Sequence, residues 1–136
     1  MRLVLAPLLL LILWGCGKPS LQPVEIEPTD MCSFCRMAVS EMRYAAEIVD
    51  REENVYKFDD IGCMLRYMRE HRTEGVAVFV KDYDGSGWLS APEAQYVRSD
   101  AIPSPMGGHT IALKRKTAAE DYAKRLQGVV LDWGKL

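Results

Sequence analysis

Three stretches of this chain carry side chains able to grip a soft metal ion. Cys32-Ser33-Phe34-Cys35-Arg36-Met37 places two thiols and a thioether within six residues, in a segment that follows Pro28 and has neither a helical nor a strand-like apolar period. Cys63-Met64 stands at the start of a helical pattern. Met106-Gly107-Gly108-His109 lies in a Pro- and Gly-rich loop, where glycine lets the backbone come close to an ion or a neighbouring loop. Thiolate, thioether and imidazole are soft to borderline donors, the set that favours Cu(I) and, less exclusively, Zn(II) over oxygen-seeking cations.

Each of these residues also has a plainer use. In an oxidising compartment Cys32 and Cys35 can close a disulfide, which removes both thiolates from any metal site. Met64 and Met68 share an apolar helix face, where methionine commonly fills gaps. An isolated loop histidine such as His109 is more often a surface or hydrogen-bonded residue. Met37 and Met106 lie beside other ligand types and outside any apolar period. Asp59-Asp60 reads as a strand end followed by a helix cap.

The elements that must position these residues can be read from periodicity. Ala45 to Val49 and Val55 to Phe58 are strand-like around the polar turn 50–54, forming a hairpin. Asp59 or Asp60 caps a helix running to about His71, with Ile61, Met64, Leu65 and Met68 on one face. Val76 to Tyr83 is a buried strand closed by Asp84-Gly85-Ser86-Gly87. The order then repeats. A strand lies within Trp88 to Val97, another spans Thr110 to Lys114, and a helix begins at Thr117 with Glu120 completing a capping box. Tyr122, Ala123 and Leu126 form its stripe, Gly128 stops it, and Val129 to Trp133 is the last strand. The expected architecture is α+β, two β-β-α-β units in tandem forming one small domain, residues 29–136.

Ahead of that domain, Arg2 precedes an apolar run from Leu3 to Trp14 that ends at Gly15-Cys16. The run is shorter than the roughly 20 residues needed to span a bilayer, as expected of a cleaved signal peptide. Leu13-Trp14-Gly15-Cys16 resembles a lipobox, with Trp14 where a smaller residue is usual. Residues 1–15 are therefore expected to be a lipoprotein signal peptide and Cys16 the lipidated residue, with 16–28, rich in proline, as a flexible tether. That places the working domain in the cell envelope, membrane-anchored through lipid and facing the periplasm or outer surface. With Cys16 used for lipid, Cys32, Cys35 and Cys63 are an odd set, so one thiol stays unpaired within the monomer unless it binds metal. A net charge of −2 without a basic block excludes a large nucleic-acid footprint. No serine–histidine–aspartate set, phosphate loop or proton-sharing carboxylate pair points to an enzyme.

In order and spacing these residues resemble the NosL copper-binding lipoproteins associated with maturation of nitrous-oxide reductase. Cys32-Ser33-Phe34-Cys35-Arg36-Met37 is similar to that family's Cys-x-x-Cys-Gly-Met, with Arg36 in place of glycine, and Phe58-Asp59-Asp60-Ile61-Gly62-Cys63-Met64 to its Phe-Asp-Asp helix start. Further matches are Val80-Lys81-Asp82-Tyr83, the Trp88 strand with Ala91 and Ala94, Pro105-Met106-Gly107, and Gly128-Val129-Val130. The resemblance implies a treble-clef-like pair of units and Cu(I) held by thiolate and thioether. It ranks Cys35, Met37 and Met106 first as ligands, followed by Cys63, Met64, Cys32 and His109. It also implies a metallochaperone that hands copper to an envelope enzyme, nitrous-oxide reductase above all, by ligand exchange and without turnover. Two alternatives from other classes are a thiol-disulfide oxidoreductase using Cys32 and Cys35, and a structural zinc module of three cysteines with His109.

Overall fold

The structure is a computed structural model and describes residues 21–136; the expected signal peptide and Cys16 lie outside the described residues. Strand β1 (Ala46–Val49) and β2 (Val55–Phe58) form an antiparallel hairpin with Ile48 opposite Tyr56. Its turn is built by Asp50, whose carboxylate accepts from the backbone N–H groups of Glu52 and Asn54, so the polar run 50–54 closes on itself. Helix α1 (Ile61–Glu70) follows, and β3 (Ala77–Lys81) returns beside β1. A hairpin through Asp84-Gly85-Ser86-Gly87 adds β4 (Trp88–Ser90), giving a four-stranded sheet in the order β2-β1-β3-β4.

The second unit repeats the plan. β5 (Gln95–Arg98), β6 (Thr110–Leu113), α2 (Lys116–Arg125) and β7 (Val129–Leu131) make a three-stranded sheet in the order β6-β5-β7. In both units the first strand is central, its hairpin partner lies on one side and the strand after the helix on the other. The tandem β-β-α-β architecture read from element order is therefore the architecture of the domain, with β4 as an addition to the first sheet.

Two local details differ from expectation. The strand within Trp88 to Val97 is two strands in different sheets, because the one-turn helix Ala91–Glu93, carrying Pro92, breaks it and turns the chain. Helix α2 starts at Lys116 with Arg115 as an uncapped N-terminus, so Thr117 is inside the helix and the capping box does not form. Glu120 instead lies one turn from Lys116, at 3.9 Å. At the other end Gln127 takes the left-handed backbone (φ 51°), and Gly128 N–H donates to Ala123 O, the closure of a Schellman motif. Gly128 is required for a different reason: a Cβ there would lie 2.6 Å from Arg98 O.

The core has two parts. Ile48, Phe58, Ile61, Met64 and Val80 from the first sheet and α1 form one buried cluster together with Tyr96 of β5. Val97, Ile111, Leu113, Ala119 and Ala123 pack between the second sheet and α2. The chain before the first sheet runs across it: Val24 N–H donates to Glu47 Oε2 at 2.9 Å, Ile26 is buried, and Lys57 bridges Asp30 and the carbonyl of Glu25. Among the described residues no helix is long and apolar enough to cross a membrane.

Candidate metal centre

The Cys32–Met37 segment folds into a tight knuckle. Met31 and Ala38 form an isolated antiparallel bridge, Cys32 N–H donates to Met37 O at 2.8 Å, and Arg36 N–H returns to Cys32 O at 3.0 Å. Closing this loop requires a left-handed residue, and Arg36 supplies it at φ 64°, the position where glycine would be unstrained. Ser33 N–H donates to Lys57 O at 2.7 Å and so pins the knuckle to β2. Cys35 N–H points at Cys32 Sγ, 3.5 Å away.

Facing the knuckle is the junction of β2 and α1. Asp60 is the N-cap, with extended backbone and a carboxylate that accepts from Gly62 N–H. Asp59, one residue earlier, therefore has no capping duty, and its side chain turns the other way, toward the thiols. Cys63 lies in the first turn of α1. The result is a cluster of four donors, Cys32, Cys35, Asp59 and Cys63, whose ligand atoms all lie within 4.8 Å of one another. All three cysteines are free thiols. Cys32, Asp59 and Cys63 are buried, and Cys35 alone is reached by solvent.

The electrostatics of the cluster follow from this crowding. Cys63 donates to Cys32, which holds the Cys32 thiol well below its usual range and pushes Cys63 up. Burial raises Cys35, partly offset by the Met37 backbone N–H. Burial, and then the neighbouring Cys32, push Asp59 up to about 6. Cys35 Sγ sits 3.6 Å from both Asp59 oxygens. Of the three sulfurs Cys32 is the readiest to ionise, while Cys35 and Cys63 hold their protons more firmly and release them only in exchange for a metal.

The third predicted segment is tied to the start of α1 by Asp60. Its Oδ2 accepts from Met106 N–H at 3.1 Å and Gly108 N–H at 3.3 Å, while Arg66 reaches Met106 O at 3.4 Å. Met106 packs against the same core that contains Cys32 and Cys63. Met37 ends the knuckle and is 57% exposed. Met64 is fully buried in the core. His109 is outside the four-donor group; its Nδ1 lies 2.8 Å from Ile102 O and, because a carbonyl only accepts, Nδ1 carries the proton. The structure thus joins Cys32, Cys35 and Cys63 and adds Asp59, which the sequence assigns to the strand end, while Met37, Met64, Met106 and His109 are not among the four clustered donors. The signal for Asp59 was present: a second aspartate beside one that already supplies the cap. Cys32 and Cys35 stand in a turn and not at a helix N-terminus, the position that activates dithiol oxidoreductases.

Residues 23–136 match the family described as NosL. No curated protein sequence matches the chain. Among solved structures, the crystal structure of the copper chaperone NosL from Shewanella denitrificans is similar, with a TM-score of 0.78 at 21% identity, over 87% of this chain and 97% of that one.

Proposed function

Since this chain belongs to the NosL family, we propose that it is a Cu(I) metallochaperone, anchored by lipid at Cys16 and facing the periplasm or outer surface, that delivers copper to an envelope enzyme, nitrous-oxide reductase by family resemblance. The observation that carries this reading is the convergence of three cysteine sulfurs, from segments 31 residues apart in sequence at their extremes, within 4.8 Å. Thiolates select Cu(I), and the structurally similar protein from Shewanella denitrificans is a copper chaperone.

The burial pattern suits transfer. Cu(I) needs only two or three soft ligands, so Cys32, Cys35 and Cys63 suffice to hold it, and Met37 and Met106 are the further soft donors of the reading. Cys35 is the half-buried donor that solvent reaches, the point where a partner's cysteine, methionine or histidine bonds to the ion before the last protein sulfur leaves. No free ion forms, no bond of a substrate is broken, and the protein acts as a carrier without turnover. Confinement to a membrane surface raises the effective concentration of the partner, as a linker would.

The test is an anaerobic titration of the reduced full chain with Cu(I) against a chromophoric Cu(I) chelator, beside Cys35→Ser, Cys63→Ser, Met37→Ala and Met106→Ala. The reading requires wild type to take copper from the chelator and both cysteine variants to bind more weakly while still folded. Wild type that leaves the copper with the chelator ends it. Mass analysis of the mature chain for acyl groups on Cys16 tests the anchor separately.

A further inference from the structure

A groove of about 510 Å³ opens at the end of α1 opposite the thiols. Leu21, Met68, Val76, Phe79, Pro92 and Trp133 form its walls, and solvent reaches every one of them at least in part. Thr73 and Ser90 are its polar positions, and no charged side chain lines it. An apolar surface of this kind, open to water, marks a contact site. Where the chain leads decides what covers it. Leu21 is five residues from Cys16, and an extended chain spans at most about 3.4 Å per residue, so a lipid on Cys16 lies within about 17 Å of the groove. We propose that this groove is the face by which the domain rests on the lipid surface that holds its anchor, with Met68 and Trp133 entering the headgroup boundary. The proposal rests on the lipidation of Cys16 put forward above and is independent of copper binding.

The lining suits lipid better than a protein segment. A peptide brings backbone polar groups that need partners, and two hydroxyl-bearing side chains are all that the walls offer them beyond backbone. Tryptophan, with an apolar ring and one N–H, is the side chain that membrane boundaries favour. A lipid anchor also holds more firmly when a second contact joins it. The placement has a consequence for the thiol cluster. Helix α1 has ten residues and is about 15 Å long. Asp59 and Cys63 stand at its start, whereas Met68 lies in its last turn and Thr73 and Val76 just beyond. A domain resting on the groove therefore holds the thiols away from the lipid, where a partner reaches Cys35 from the aqueous side.

The experiment reconstitutes the mature acylated chain into vesicles of phosphatidylethanolamine and phosphatidylglycerol whose acyl chains carry bromine near the headgroup, and reads tryptophan fluorescence. Trp88→Phe leaves Trp133 as the reporter. Trp133→Phe leaves Trp88, which lies outside the groove beneath Lys81, as the control. Bromine is expected to quench Trp133 at least about twofold more than Trp88, at low and high salt alike, because an apolar contact is not screened. Met68→Glu, introduced beside Trp88→Phe, puts a charge on the groove wall and is expected to remove the excess quenching while the chain stays folded by circular dichroism. Equal quenching of the two tryptophans, quenching lost at high salt, or quenching unchanged by Met68→Glu overturns the proposal. Groove-to-groove crosslinks between copies without quenching overturn it in favour of a second copy. Should Met68→Glu fail to fold, Pro92→Glu on the exposed rim takes its place under the same criteria. Mass analysis of Cys16 on the same sample separates the two readings: a mature chain without acyl groups sinks the anchor and this inference with it, and an acylated chain without quenching sinks this inference alone.

Discussion

One carboxylate oxygen of Asp60 holds the backbone N–H groups of Met106 and Gly108, while the other caps α1 at Gly62. A single buried side chain thus fixes both the start of the helix that carries Cys63 and the loop that carries Met106.

Asp60→Ala removes a cap, worth about 1 kcal/mol, and strands two partly buried N–H groups at about 1 kcal/mol or more each. The expected loss is about 2–4 kcal/mol in urea unfolding. Asp60→Asn, which keeps one acceptor oxygen, should lose less. Equal stability of Asp60→Ala and wild type would show that the loop is held by other contacts.

Gly62 and Gly108 meet backbone to backbone: a Cβ on Gly62 would lie 2.8 Å from Gly108 Cα, and one on Gly108 would overlap Asp60 Oδ1 and sit 2.9 Å from Gly62 N. Gly108→Ala should destabilise by about 1–3 kcal/mol, the usual range for overpacking. Gly87→Ala, where a Cβ meets nothing within 4 Å, should stay within about 0.5 kcal/mol. Thermal unfolding of the two side by side distinguishes a backbone contact from a general intolerance of alanine.

Glu47 is fully buried on the central strand β1, with Oε2 accepting from Val24 N–H and Oε1 unpartnered. Burial pushes it up from 4.5 to about 7, against the pull of the Val24 N–H, Lys57 and Lys81. A carboxyl whose folded value is raised holds its proton longer in the native state, so its contribution is complete below about pH 4.5 and is lost as pH rises to about 7. Asp59, raised to about 6, acts in the same direction. Stability should therefore fall across that window, and Glu47→Gln should flatten the fall by about 1–3 kcal/mol, being the more stable form at pH 8. Denaturant melts at pH 4.5, 6 and 8 read this directly; an unchanged profile in Glu47→Gln means the carboxyl is solvated.

Arg36 occupies the left-handed region at φ 64°. Glycine removes a strain of about 1 kcal/mol there but adds unfolded-chain entropy of about 0.4–1 kcal/mol. Arg36→Gly should therefore be neutral or slightly stabilising, with the knuckle and metal affinity retained. A marked loss would give the Arg36 side chain a role that its backbone does not reveal.

The sequence alone singled out the three cysteines that cluster, because thiols and thioethers in a segment without an apolar period stand out along the chain. It also determined the tandem element order, because periods of 2 and 3.6 are local properties; the Val55–Phe58 strand was legible in that way, and the α1 cap was narrowed to Asp59 or Asp60, of which the structure shows Asp60. Helix α2's start was not, since Thr117 and Glu120 fit a capping box whose formation depends on the path of the chain before it. What only the tertiary structure decided is which donors meet. Asp59 reaches Cys35 across 24 residues and Asp60 reaches Met106 across 46, whereas His109 turns to the carbonyl of Ile102. Such meetings are set by how the knuckle docks on β2 and how the two units pack, and no spacing along the chain encodes that geometry.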